Sequence, residues 1–171
     1  MAVEFRLTLA GDIPLEDVAE LAAVNITEKP APTANPRLLT ARLYDQRGYA
    51  LSVYSGDHGY FDAEDDDGSR WEWEPETYVD VDFSMGADDL VDKGIPNVVA
   101  AVARILAGRS EDAALVQNGD YLLLTRIDGE LRKHRTTWWS HYGVEDSSLD
   151  DRQHRPLARS WPPSAALPPS A

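Results

Sequence analysis

Ala113-Ala114-Leu115-Val116-Gln117-Asn118-Gly119-Asp120-Tyr121-Leu122-Leu123-Leu124-Thr125 decides the fold class, because two apolar runs meet at an Asn-Gly pair. Asn and Gly accept the positive φ angles of a two-residue type I′ turn, so the stretch reads as a β-hairpin. Asp128-Gly129 repeats the device, and Leu131-Arg132-Lys133-His134-Arg135 follows it, which predicts a meander of three strands. Directly upstream, Pro96 to Ala107 is apolar apart from Asn97 and Arg104, with Pro96 suited to a first turn and Gly108 to a C-terminal cap. A helix that apolar must be covered, so it is expected to be the central one on the sheet.

Further outward, Val79, Val81 and Phe83 alternate with Tyr78, Asp80, Asp82 and Ser84, the period of a half-exposed strand. Short strands from Tyr60 to Glu64 and from Arg70 to Glu74 precede it, with turns at Gly56-Asp57-His58-Gly59 and Asp65-Asp66-Asp67-Gly68. Leu39, Ala41 and Leu43, a turn at Asp45-Gln46-Arg47-Gly48, then Leu51 and Val53 give another hairpin. Residues 25–36 contain Pro30, Pro32 and Pro36 and are expected to hold no regular element. Leu15, Val18, Ala19 and Ala22 fall at helical spacing behind Pro14, predicting a helix that ends near Val24. Val3, Phe5, Leu7 and Leu9 alternate as a first strand. The whole order predicts an α+β fold, a two-layer sandwich in which a mainly antiparallel sheet of about 7–9 strands carries two helices on one face. Both periods vanish after residue 143, and residues 144–171 hold five of the eleven prolines. One α+β domain over 1–143 and a disordered, Pro-rich tail over 144–171 are therefore expected.

Composition narrows the function. With no cysteine in 171 residues, zinc ribbons, iron–sulfur clusters, thiol nucleophiles and disulfide scaffolds are excluded. The formal net charge is −14, and residues 57–92 alone hold 14 acids against one base. Such a segment repels nucleic acid and anionic membrane, and it attracts a basic protein surface. The start, Met1-Ala2-Val3-Glu4-Phe5-Arg6, has neither the basic flank nor the apolar run of an export signal. The longest apolar run, Val98 to Ala103, is far short of the ~20 residues that span a bilayer. A soluble, cytoplasmic protein is expected.

The chain holds no motif for catalysis. Setting Gly68 at the sixth place of a calcium loop puts Asp65, Asp67 and Glu74 at ligand places but Ala63 at the first, so the carboxylates read as a solvated turn. His58, His134, His141 and His154 are scattered, and His134 reads as a surface imidazole at a strand end. Ser140-His141 is an adjacency without the nucleophile elbow of a hydrolase. Glu72 and Glu74 share one strand face, and Trp71 and Trp73 share the other. Trp138, Trp139 and Tyr142 form a second aromatic cluster. No catalytic residue, cofactor or metal ligand is predicted. The candidates for partner binding are Asp65, Asp66, Asp67, Trp71, Glu72, Trp73, Glu74, Trp138 and Trp139, acids for steering and rings for desolvated contact.

The segments Phe5-Arg6-Leu7-Thr8-Leu9-Ala10-Gly11, Trp71-Glu72-Trp73-Glu74-Pro75-Glu76, Glu111-Asp112-Ala113-Ala114-Leu115-Val116-Gln117-Asn118-Gly119-Asp120 and Trp138-Trp139, in this order, resemble the Sit-type immunity family of bacterial polymorphic toxin systems. Thirteen Arg against three Lys suits a GC-rich genome and the actinobacterial branch of that family. The resemblance covers residues 3–142 and implies a cytoplasmic antidote that binds and neutralises a cognate protein toxin. It carries over no catalytic residue. Two other readings stay open: a small enzyme with a site assembled from His134, His141, Glu72 and Glu74, and a structural or regulatory domain with no toxin partner.

Overall fold

A computed structural model of the chain describes residues 2–86, 91–143 and 149. The apolar side of each alternating segment pairs with the next, and among the described residues this builds one open sheet of ten mostly antiparallel strands. The strands are β1 (Val3–Ala10), β2 (Ala31–Pro32), β3 (Leu38–Leu43), β4 (Tyr49–Asp57), β5 (Phe61–Glu64), β6 (Arg70–Trp73), β7 (Thr77–Met85), β8 (Ala113–Gln117), β9 (Tyr121–Ile127) and β10 (Glu130–Lys133). Their order is β2-β3-β4-β7-β1-β8-β9-β5-β6, with β10 also on β9. The helices are α1 (Leu15–Ala22), α2 (Tyr44–Arg47), α3 (Val91–Gly108) and α4 (Thr136–His141). The α+β class and the antiparallel sheet are as the periodicity predicts, with one strand more than the expected range.

Register explains the core. Phe5 stands opposite Phe83, which stands opposite Leu51, and Leu7 opposite Val81, which stands opposite Val53. These residues are all buried on one face, together with Ile95, Val98, Val102 and Ile105 of α3 and Val18 and Ala19 of α1. Arg104 of α3 donates to the carbonyls of Leu21 (3.1 Å) and Ala22 (2.9 Å), satisfying the C-terminal end of α1. Asn118 (φ 51°) and Gly119 (φ 71°) form the predicted turn with positive φ at both central residues.

Several boundaries differ from the sequence reading. The helix α3 begins at Val91, so Pro96 lies inside it and not in its first turn. Gly108 is its last residue, and a side chain there would meet Leu21 at 2.5 Å; close approach to α1, and not a left-handed cap, requires glycine. The turn at residues 45–48 is the helical turn α2, closed by Gly48 at φ 88°. Residues 25–36, expected to be irregular, contain a 3-10 turn over Ile26–Glu28 and the two-residue strand β2. Neither conflicts with the prolines, because Pro32 lies on a sheet edge where no N–H is needed. The helix α4 is an addition, too short to show a period in sequence. Leu149 is buried with the core cluster; the other residues of 144–171, where a disordered tail is expected, lie outside the described residues.

Candidate functional site

The acidic segment folds as a hairpin, β5–β6, with two chemically opposite faces. Alternation puts Phe61, Ala63, Trp71 and Trp73 on one face and Asp62, Glu64, Arg70 and Glu72 on the other, and the register pairs Phe61 with Trp73 and Ala63 with Trp71. The apolar face lies against the helix-free side of the sheet. There Ala63 is buried with Ala114 and Leu122, and Trp71, Trp73 and Val116 pack around them. Phe61 meets Tyr78 edge to face at 5.1 Å and Trp73 at 6.0 Å. Only one bridge, Glu64 to Tyr121, joins this arm to β9 within the sheet. Trp71 and Trp73 thus line a small second core and are half-buried, while Glu72 and Glu74 are exposed.

The turn at the tip of the arm is tied down. His134 is 2% exposed, which corrects its reading as a surface imidazole. One ring nitrogen, Nδ1, lies 2.7 Å from Asp65 Oδ1, and the other, Nε2, lies 3.1 Å from Thr125 Oγ1. Asp66 Oδ1 accepts from the backbone N–H of Arg135 at 2.6 Å. That residue has φ 55°, a left-handed conformation that a non-glycine residue holds only under constraint. Its guanidinium donates to the Glu64 carbonyl (3.1 Å) and stacks on the Tyr121 ring at 4.6 Å. Asp67 Oδ1 accepts from the Ser69 N–H at 2.9 Å within the turn, and the Ser69 hydroxyl together with that N–H holds the Asp67 carboxyl below the usual range. Burial pushes the Asp65 carboxyl up, but the Asp66 N–H and the His134 ring outweigh it and leave the pKa lowered. The three aspartates are structural ties as well as charges.

Asp65, Asp66 and His134 offer ligand atoms within 4.8 Å of one another, a spacing a metal ion could use. Their contacts argue against it, since Asp65 is bonded to the imidazole and Asp66 to a backbone N–H. Thr125, His134 and Asp65 follow the hydroxyl–imidazole–carboxylate order of a nucleophilic triad. Thr125 is a β9 residue only 7% exposed, and the three groups together tie the tip of the arm to β9. The structure does not bring Glu72 to His134: its carboxylate accepts instead from the Tyr60 hydroxyl at 3.1 Å.

The second aromatic cluster splits. Trp139 is 3% exposed and its indole N–H donates to the carbonyls of His134 (2.8 Å) and Leu123 (3.0 Å), so it belongs to the core and offers no surface. Trp138 packs edge to face on Phe5 at 5.9 Å and lines an open hollow with Tyr121, His141 and Tyr142.

Between the arm and the sheet lies a cleft of about 210 Å³ that the alternation alone did not reveal. Its walls are Tyr60, Phe61, Asp62 and Trp71 from the arm, and its floor is Glu4, Arg6, Thr8 and Asp82 from β1 and β7. Arg6 Nε donates to Asp82 Oδ1 at 2.9 Å. Behind it Asp80 is 1% exposed and accepts from the Thr8 hydroxyl and from Tyr54, so this position, read from sequence as facing solvent, is buried. Burial pushes the Asp80 carboxyl up to about 6, against the opposing pull of Thr8, Tyr54 and Arg6. The signal for this network was the polar run Arg6, Thr8, Asp80, Asp82, which acquires meaning only through the β1–β7 register that sets Arg6 opposite Asp82 and Thr8 opposite Asp80.

A family model described as SitI3-like matches residues 3–143. No curated protein and no solved structure gives a significant match.

Proposed function

We propose a function from the premise that this match supplies: the chain belongs to the SitI3-like family, a family of immunity type. The protein is an antidote, held in the cytoplasm, that neutralises a cognate protein toxin by binding it and not by chemistry. Family membership over residues 3–143 is the observation that carries the reading. The arm supports it. Asp62, Glu64, Glu72, Glu74 and Glu76 give one side of the molecule a concentrated negative field, which complements only a positive partner without repulsive cost. Toxins that act on nucleic acid carry such positive channels, and blocking one would be steric and electrostatic. No helix among the described residues is long and apolar enough to cross a membrane.

The test is affinity capture by the full chain from the source organism, then assay of the captured protein's toxicity with and without the chain. A captured protein that kills alone and is silenced by the chain is expected. Association should slow by about tenfold between low and physiological salt, since exposed charges lose their reach beyond ~8 Å. Glu72→Gln with Glu74→Gln should slow it by about threefold without changing stability. Capture of harmless proteins only, or toxicity indifferent to the chain, overturns the proposal.

A further inference from the structure

We infer that the cleft beneath the arm is a receptor for one organic cation, the guanidinium or ammonium of an Arg or Lys side chain presented by a protein partner. This deepens the binding reading above and rests on it for the source of that side chain.

Shape comes first. At about 210 Å³ the cleft is smaller than the ~300–1,000 Å³ that usually encloses a whole small-molecule ligand, and it suits a single inserted side chain. Its walls then select the chemistry. Tyr60, Phe61 and Trp71 contribute three aromatic side chains to the lining, and aromatic rings attract cations. Glu4, Asp62 and Asp82 add three carboxylates from different elements; Arg70 already pairs with Asp62 and Arg6 with Asp82, so Glu4 is the carboxylate of the three that no ion pair engages among the described residues. Arg6 is the one cation among the lining residues, and Asp82 at 2.9 Å and Asp80 at 3.9 Å already engage it. An incoming anion would meet net negative charge; an incoming cation finds rings and acids together.

A metal ion fits poorly. Among the described residues, the group of three or more ligand side chains that converges within 4.8 Å is Asp65, Asp66 and His134, outside the cleft. The carboxylates of the cleft come from its floor (Glu4, Asp82) and its wall (Asp62) and do not converge on one point, which suits a cation several atoms across better than a metal ion. Asp62 lies three residues before Asp65, which His134 holds in place, so the wall is pre-positioned before anything enters.

The experiment titrates the isotopically labelled full chain with the blocked tripeptide Gly-Arg-Gly and with Gly-citrulline-Gly, in which an uncharged urea replaces the guanidinium at nearly the same shape. Saturable shifts should centre on Trp71, Val116, Asn118 and Gly119 with the arginine peptide, and the citrulline peptide should bind at least about tenfold more weakly. Trp71→Phe keeps the packing and should weaken arginine binding about fivefold. Glu4→Gln, at an exposed position, should weaken it similarly with the fold intact. Equal binding of both peptides, or shifts spread over the whole acidic side, overturns the cleft while leaving the antidote reading to its own toxicity assay. Selective arginine binding combined with failure of that assay upholds the cleft chemistry and removes only the toxin as its source.

Discussion

Asp80 is a carboxylate with almost no water around it, and its protonation sets a pH dependence for the whole chain. Its folded pKa is about 6 against an ordinary 3.8, so between those values the folded state holds a proton that the unfolded chain releases. Stability from this group therefore rises as pH falls from 6 towards 3.8, and is lowest above 6. Asp80→Asn removes the buried charge while its amide oxygen still accepts from Thr8 and Tyr54. Thermal denaturation should show a gain of about 1–3 kcal/mol at pH 8 and none at pH 4. A loss at pH 8 would mean that attraction to Arg6 outweighs desolvation.

The arm is the element whose attachment is most local. Beyond the contacts of its apolar face, its ties to the rest of the sheet include one bridge to β9, the Glu64 N–H on the Asp120 carbonyl, the Arg70–Asp120 ion pair, the Arg135 guanidinium on the Glu64 carbonyl, and the ties of Asp65 and Asp66 to His134 and Arg135. Asp65→Ala removes the main tie. Amide exchange in β5 and β6 should quicken about 10- to 100-fold, while β1, β4 and β7 keep their protection. Because the folded pKa of Asp65 is lowered, the tie contributes above pH 3.8 and fades as pH falls through the folded value. How much of this was legible in the sequence depends on distance along the chain. The Asn118-Gly119 and Asp128-Gly129 turns are local chemistry, and so is the split of Trp71 and Trp73 from Glu72. The His134–Asp65 contact spans 69 residues and the Thr8–Asp80 contact 72, so neither exists until strand order is known. Helix α4 escaped because six residues cannot display a 3.6-residue period. Among the candidate partner residues, burial removes Trp139 from any surface, and bonding gives Asp65 and Asp66 a second duty.

At the scale of the whole molecule, Leu149 sets up a test of where the folded unit ends. It is 3% exposed in the core cluster, so a chain ending at residue 143 should lose about 1.5–3 kcal/mol, a fall of roughly 5–10 °C in melting temperature. A chain ending at residue 150 should melt like the full chain, and Leu149→Ala in the full chain should reproduce most of the loss. Equal melting of all three would return the boundary to residue 143.

The ends of the sheet carry one more consequence. Strand β2 has two residues and includes Pro32, while β6 and β10 have four each and carry charged residues, Arg70 and Glu72 in β6 and Glu130, Arg132 and Lys133 in β10. Short, charged, proline-bearing margins give a neighbouring copy no long ladder to extend, which is how natural sheets avoid fibre growth. Under the antidote reading proposed above, these blunt margins let a ten-stranded sheet accumulate ahead of its partner without polymerising.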